Sequence, residues 1–298
     1  MIIKKRESKE SDIKELTSLL SLPLPDNKRF LIERELRFMK FGDKGEKDSA
    51  YFIDFYFGDS DKWAVIHDLR LECQNRVAQI DHLLINRFFD VYVLESKNFS
   101  YGVKITGTGD FLVNDKNEEH SIESPIEQNR RHIVVLKSVF QKYDIMPKRL
   151  GIRITPNFKS YIMVSPKSHV KRPPKDTFDT TMVIKADTLR TTIDKYVDDM
   201  SALSVVTTAS KMTSFEEVKK AAQRLAKLQK PMKMDYRKRF GIDTDLLSGA
   251  REKQEVTVPI CPKCGSQMVL RTAKSGSNQG QQFWAIIYLT RPLFSDTL

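Results

Sequence analysis

The chain contains little cysteine and no long apolar run. Its 298 residues include only Cys73, Cys261 and Cys264, too few and too odd a number for a disulfide framework, so we expect a reducing compartment. No stretch approaches the roughly 18 apolar residues of a membrane-spanning helix, and Met1 to Arg6 lack the apolar region of a secretory signal. These absences predict a soluble, cytoplasmic protein.

The glycines do not form a phosphate-binding loop. Gly102, Gly107 and Gly109 match no such spacing, and no Gly-Lys-Ser/Thr follows them. We interpret residues 102–110 as a hairpin turn. Histidines at a spacing suited to a metal centre are lacking as well, which excludes a histidine-based metal mechanism.

Positive charge exceeds negative charge. Lys and Arg number 50 against 39 Asp and Glu, a net charge of +11. This excess indicates attraction to polyanions such as nucleic acid, although simple solubility is the alternative explanation. The length allows one large domain or two small ones with a sizeable core.

The most informative stretch, residues 78–98, contains two apolar runs of strand composition that carry unexpected charges. Side chains alternate along a strand, so Glu95 and Lys97 face the same way. A hairpin with the odd-length loop 87–89 places Asp81 opposite Glu95, whereas an even-length loop would put Asp81 on the other face. The same register pairs Leu83 with Val93 and Ile85 with Val91.

Two carboxylates and an ammonium on one buried face are costly unless something is bound there. A hard divalent cation with oxygen ligands fits this arrangement. For Lys97 the alternative role is that of an edge-strand charge that prevents aggregation.

These residues resemble a known family. Asp81, thirteen intervening residues and Glu95-Ser96-Lys97 resemble the Asp, Glu-x-Lys core of the restriction-endonuclease-like PD-(D/E)XK nucleases. The flanking sequence, residues 79–82 and 94–98, resembles more narrowly the nuclease-related domain called NERD. Gly45-Glu46 resembles the acidic position of that family's first helix, and Pro125 to Gln128 its glutamine helix. The resemblance covers roughly residues 40 to 195.

The resemblance implies a metal-dependent nuclease acting on DNA. Asp81 and Glu95 would ligate Mg²⁺ or Mn²⁺, and Lys97 would orient a water or stabilise developing charge. Glu46 would complete the metal site and Gln128 would support it, although Glu46 alone also reads as a solvated first-turn acid. The second hypothesis is a catalytically inactive DNA-binding module. DNA versus RNA and the oligomeric state stay open.

The predicted fold class is α/β, a restriction-endonuclease-like core with a central mixed β-sheet flanked by helices. We expect a first core helix over Glu46 to Tyr56 after a turn at 42–45, polar loop at 114–120, and a helix from Pro125 to about Tyr143. The predicted domains are an N-terminal helical extension (1–40), the nuclease-like domain (41–200), a basic helical linker (201–255) and an incomplete zinc-ribbon-like segment (256–298).

Several basic residues are candidates for nucleic-acid contact. Residues 211–240 hold ten Lys and Arg against three acids, and a capping box at Thr213 to Glu216 predicts a helix there. Its basic face either contacts the phosphate backbone or solvates a linker, and the loop 167–175 has the same two interpretations. The candidates are Arg130, Arg131, Lys171, Arg172, Lys219, Lys220, Arg224 and Arg271.

The C-terminal stretch from Cys261-Pro262-Lys263-Cys264 to Trp284 resembles the zinc-ribbon modules at the C-termini of type IA topoisomerases. A structural zinc needs four ligands, and no Cys or His follows Cys264. We therefore expect an incomplete Zn²⁺ site and no stable zinc in the monomer, the alternative being two chains that share four thiolates. A complete topoisomerase is excluded, because the chain has no room for its catalytic body.

Overall fold

The computed structural model describes residues 1–99, 101–115, 118–149, 151–199, 201, 212–242, 268–276 and 278–286. The chain divides into two compact units, Met1–Ile242 and Asp243–Leu298. No helix in the described part of the chain is both long and apolar enough to cross a membrane.

The described helices are α1 (Glu10–Leu20), α2 (Asp26–Phe57), α3 (Pro125–Lys142), α4 (Leu189–Asp198), α5 (Phe215–Lys227) and the short α6 (Tyr236–Arg239), with a 3₁₀ turn at Ala186–Thr188. The strands of the first unit are β1 (Ile2–Lys4), β2 (Trp63–Cys73), β3 (Arg76–Asn86), β4 (Asp90–Lys97), β5 (Val103–Ile105), β6 (Phe111–Asp115), β7 (Glu118–Ile122), β8 (Lys148–Arg149), β9 (Ile152–Arg153), β10 (Asn157–Val164), β11 (Val170–Lys171) and β12 (Val183–Lys185).

A six-stranded mixed sheet in the order β1-β2-β3-β4-β10-β12 forms the centre of the first unit. β2, β3 and β4 are antiparallel neighbours, whereas β4 pairs in parallel with β10, and β10 with β12. A smaller sheet has the order β11-β5-β6-β7. The predicted mixed sheet flanked by helices is confirmed.

Helices cover both faces of the central sheet. On one face, Ile53 of α2 and Leu189 of α4 share a core cluster with Leu84 and Leu94. On the other face, α3 and α5 pack against a cluster that includes Leu83 and Val93. Glu95 follows Leu94 at the end of β4, so both helical layers lie next to the charged residues.

The first core helix begins much earlier than predicted. α2 is continuous from Asp26 to Phe57, so the predicted turn at 42–45 is wrong. Ile32, Leu36, Ile53 and Phe57 form a buried stripe along the whole helix, and burial of that stripe outweighs the low helix propensity of two glycines. The predicted boundary after residue 40 falls within this helix.

Two other local predictions are corrected. The predicted loop 114–120 is wrong, because β6 and β7 pair there as an antiparallel hairpin. The basic helix begins at Phe215 with Ser214 as its N-cap, one residue later than the predicted capping box. Its residues Val218 and Leu225 are fully buried against the sheet, so this part of the predicted linker belongs to the core.

The helix after Pro125 is confirmed at Pro125–Lys142, with Ser124 as its N-cap. In the second unit, β13 (Met268–Thr272) and β14 (Gln282–Ile286) form an antiparallel hairpin. Cys261 and Cys264 lie outside the described residues, so the zinc-ribbon interpretation stays a prediction.

Candidate active site

The predicted β-hairpin register is confirmed. Leu83 pairs with Val93 and Ile85 with Val91, and Phe89, in the connecting turn, has a positive φ of 59°. Pairing between β3 and β4 ends at His82 and Leu94. The charged residues therefore lie where the two strands of the hairpin stop bonding regularly.

Both β2 and β3 change face close to this point. Residues an odd number of positions apart face opposite sides of a regular strand. On β2, Ile66 and Leu69 are three positions apart and yet belong to one core cluster, and on β3 the same holds for Ile80 and Leu83. Asp68 lies within the β2 break with a φ of 52°. A left-handed backbone costs free energy for a residue other than glycine, although aspartate tolerates it better than most.

The break brings two aspartates opposite each other. The register runs through the pairs His67–His82 and Leu69–Ile80, so Asp68 lies across from Asp81. Both side chains line a cleft of about 420 Å³, together with Glu46 of α2. Glu95 and Lys97 are not among the residues that line this cleft.

Glu95, Lys97 and Gln128 form a connected group beside the cleft. Lys97 Nζ donates to Glu95 Oε1 at 2.8 Å and to Gln128 Oε1 at 3.0 Å. Gln128 occupies the first turn of α3, so the start of α3 holds the ammonium toward β4. Of the predicted site residues, these three are in direct contact.

Glu95 is buried and only partly paired. Its Oε2 has no hydrogen-bond partner within the described chain, and His132 Nδ1 lies 3.7 Å away. Burial raises the pKa of Glu95, while Lys97 and Gln128 oppose the rise. Burial, followed by the charges of Arg131 and Lys97, lowers the pKa of His132 to about 4, so a neutral imidazole lies beside the carboxylate at neutral pH.

Asp81 is held by the backbone of the opposite strand. Its Oδ2 accepts a hydrogen bond from the Ser96 amide at 2.7 Å. Burial, and then the negative charges of Glu95 and Glu46, raise the pKa of Asp81 well above its ordinary value. The negative charges of Glu95 and Glu46 therefore act on Asp81 in the same direction as its burial.

Glu46 contacts the N-terminal segment. Arg6 Nη1 lies 3.4 Å from Glu46 Oε2, and Arg6 Nη2 lies 2.8 Å from Asp43 Oδ1. Burial raises the pKa of Glu46 despite the opposing charges of Lys9 and Arg6. No local pattern indicates this contact of Arg6, because the pairing of β1 with β2 brings the start of the chain next to α2.

The opposite face of the hairpin carries a hydrogen-bonded chain of four side chains. His67 Nε2 lies 3.0 Å from Asp54 Oδ1, and His82 Nε2 lies 3.0 Å from Ser96 Oγ. The two histidines meet through their Nδ1 atoms. His82 is fully buried, and these contacts give its ring a structural role within the sheet. The sequence pattern that could have predicted this contact is one histidine in each of two neighbouring predicted strands.

The fit of a divalent cation depends on few protein ligands. No group of three or more His, Cys, Asp or Glu side chains in the described ranges has the arrangement of a metal site. Mg²⁺ is nevertheless commonly held by one or two carboxylates, with water and substrate oxygens completing the shell. The unpartnered Oε2 of buried Glu95 and the crowded carboxylate of Asp81 fit that requirement.

Most of the basic side chains that were predicted to contact nucleic acid bind other groups of the protein. Arg130 pairs with Glu127 and Arg131 with Glu123. On α5, acids one turn earlier pair with Lys219 and Lys220, at 3.8 and 2.9 Å. The remaining candidates are Arg172, which donates to Thr180 O and Val183 O; Arg224, which donates to Asp144 O; Lys171 on β11; and Arg271 on β13.

A mixed sheet with a hairpin that presents carboxylates and a lysine where its strands separate is consistent with the core of a nuclease-like α/β domain. Residues 41–164 match the family model of NERD, the nuclease-related domain. The matched range contains Glu46, Asp81, Glu95, Lys97 and Gln128. A search of curated proteins gave no match, and neither did a search of solved structures.

Proposed function

We propose that this protein is a metal-dependent nuclease that hydrolyses phosphodiester bonds of DNA. The main support for this proposal is the contact of Lys97 Nζ with both Glu95 and Gln128. Asp81 lies close by, on the strand that pairs with β4. The match of residues 41–164 to a nuclease-related domain supports nucleic acid as the substrate class.

Asp81 and Glu95 would hold Mg²⁺ or Mn²⁺, with Glu46 close enough to act on Asp81 electrostatically. The bound ion would polarise the scissile phosphate and lower the pKa of a water. Hydrolysis adds the hydroxyl of that water to phosphorus and its proton to the leaving oxygen.

The protein's own contribution is orientation and charge. Lys97 offers an ammonium whose position is fixed by Glu95 and Gln128, so it can donate to the attacking water or to the phosphate oxygens as negative charge develops. The Ser96 amide fixes Asp81, which keeps one carboxylate oxygen directed by the backbone. His132 stays neutral and adds no charge that would compete with a cation.

The test is cleavage of linear, circular and single-stranded DNA with Mg²⁺, Mn²⁺ or EDTA. We expect the parent protein to cut with metal and not with EDTA, and Asp81→Ala and Lys97→Ala to lose at least about 100-fold in rate, the usual scale for one electrostatic catalytic group. The exposed residues Asp176 and Lys14 provide matched controls, and Asp176→Ala and Lys14→Ala should cut like the parent. Equal cutting by all variants would contradict the proposal.

The second candidate is a DNA-binding module that does not cut. It is favoured by the lack of a three-ligand metal group in the described chain. Binding of DNA that is equal in all variants, with no cleavage under either metal, would establish this alternative.

A further inference from the structure

The outward face of α2 exposes an unusual number of aromatic rings. The rings are between 42% and 70% exposed, although α2 already buries a complete apolar stripe on its other side. This set, together with the exposed cations between them, is called the α2 outer face. Its aromatic members are Phe30, Phe38, Phe41, Tyr51, Phe55 and Tyr56, and its basic members are Arg34, Arg37, Lys40 and Lys44.

The aromatic residues of the α2 outer face lie outside its buried stripe. Ile32, Leu36, Ile53 and Phe57 anchor the helix to the rest of the unit. Tyr51, Phe55 and Tyr56 contact one another and the neighbouring rings of Phe52 and Phe57. Phe55 lies 5.0 Å from Tyr56 and 6.3 Å from Tyr51 between ring centroids. A large exposed patch of this kind marks an interaction surface more often than chance.

The basic residues of this face are available to a ligand. Within the described residues, none of the four cations of the α2 outer face forms an ion pair. Arg37 instead stacks over Phe38, with 6.0 Å between the guanidinium carbon and the ring centroid. Two acids, Glu33 and Asp48, lie among them and leave the face with a net positive charge. In contrast, Arg130 and Arg131 of α3 and Lys219 and Lys220 of α5 are paired with acids.

From Phe30 to Lys44 the four cations lie among three of the rings and share one side of the helix with them, and the other three rings follow at residues 51–56. From Phe30 to Phe55 the face runs for about 37 Å at the rise of an α-helix. A membrane-bound helix keeps its apolar and charged sectors apart, and a helix-binding groove is mostly aliphatic. Rings and cations on one side of a helix match a single strand, which offers unstacked bases to the rings and phosphates to the cations.

We propose that the α2 outer face binds single-stranded nucleic acid, with bases stacked on its rings and phosphates beside its cations. Phe38 of this face lines the same cleft as Glu46 and Asp81, so a strand bound here would reach the edge of the candidate active site. The inference adds the strand form of the substrate to the proposed nuclease function, but the binding itself does not depend on cleavage.

The test measures binding of a fluorescein-labelled 20-nucleotide oligo(dT) and of a duplex of equal length, in EDTA, with the full chain carrying Asp81→Ala. We expect tighter binding of the single strand, and at least fivefold weaker binding for Phe41→Ala and for Phe55→Ala, because one stacked base contributes about 1–3 kcal/mol. Tyr101→Ala, which removes an equally exposed ring elsewhere, is the matched control and should bind like its parent.

A second arm tests the cations. Arg37→Gln with Lys44→Gln should reduce the slope of log affinity against log salt concentration by about 1.4, since each phosphate contact on a single strand contributes about 0.7. An unchanged slope together with unchanged affinity of the ring variants would overturn the inference. The inference would also be overturned if the ring and cation variants bound oligo(dT) normally and lost only binding to phosphatidylserine/phosphatidylcholine vesicles, or only self-association in sedimentation.

The two proposals fail separately. If the parent protein cleaves DNA while the α2 variants bind oligo(dT) normally, the nuclease function stands and this inference is wrong. If no metal supports cleavage while the α2 variants lose binding, the inference stands and the function is wrong.

Discussion

His67 Nδ1 lies 2.7 Å from His82 Nδ1 between two paired strands in the interior of the sheet. A carboxylate only accepts hydrogen bonds, so His67 Nε2 donates to Asp54 and its Nδ1 is left to accept from His82. His82 Nε2 then accepts from the Ser96 hydroxyl. Every donor in this arrangement points toward Asp54, which fixes the tautomers of the two rings.

Replacing His82 should destabilise the protein. His82→Ala removes a fully buried ring and leaves His67 Nδ1 and Ser96 Oγ without their partner. We expect the free energy of unfolding to fall by about 2–4 kcal/mol, from a cavity and unsatisfied polar atoms. Urea unfolding measures the change, and His169→Ala, at an exposed histidine, should change it by less than about 0.5 kcal/mol. Equal stability of the two variants would contradict the structural role of His82.

His132 should make stability depend on pH. Its pKa is lowered to about 4 in the folded protein, against about 6.5 in an unfolded chain. Between these values the unfolded state binds a proton that the folded state does not. The free energy of unfolding is therefore at its full value above about pH 6.5 and decreases as the pH falls toward 4. Relative to His132→Gln, the parent should lose about 3 kcal/mol between pH 6.5 and 4, measured by urea unfolding in EDTA. Parallel pH profiles would contradict the assignment.

The two glycines of α2 should respond in opposite ways to alanine. A Cβ at Gly45 would lie 2.8 Å from Asn98 Cβ, directly after Lys97, whereas a Cβ at Gly42 would meet nothing within 4 Å. We expect Gly45→Ala to lower the free energy of unfolding by about 1–3 kcal/mol through overpacking. Gly42→Ala should raise it by up to about 1 kcal/mol through helix propensity. The pair forms its own control, and stabilisation by both substitutions would show that α2 does not approach β4 so closely.

Asp81 should destabilise the protein when no metal is bound. Its pKa is raised by burial and by Glu95 and Glu46, so its stabilising protonated form is lost as the pH rises and the ionised form is unfavourable at neutral pH. Asp81→Asn should therefore melt at a higher temperature than the parent in EDTA, while Asp176→Asn should not. With Mg²⁺ at a hundred times its Kd, the parent should gain about 2.7 kcal/mol. A similar Mg²⁺ effect on Asp81→Asn would place the cation elsewhere.

Local pattern was sufficient for the hairpin and for α3. The odd-length turn and the alternation of β4 fixed the pairing of Leu83 with Val93, because one residue of slip would expose a whole apolar face. Likewise, Ser124 followed by Pro125 is a strong helix-start signal that tertiary contacts did not override.

Other parts of the site depend on contacts between distant segments. Continuity of α2 through Gly42 and Gly45 results from burial of its apolar stripe, against α1 at one end and against the sheet at the other, which helix propensity alone does not reveal. The change of face at Asp68 requires a positive φ. An aspartate within a strand-like sequence does not by itself predict that conformation. Arg6 reaches Glu46 only because β1 adds to the sheet beside β2, and that pairing has no local signature.

The position of Asp81 and Glu95 on one hairpin has a consequence for the order of folding. Antiparallel pairing across a short turn closes a small loop, whereas the parallel pairing of β4 with β10 must close a loop of some sixty residues. We therefore expect the two acids to meet in an early local structure, before Gln128 and His132 arrive on α3. The nascent chain would thus contain the assembled carboxylate pair before Lys97 has gained its hydrogen bond to Gln128.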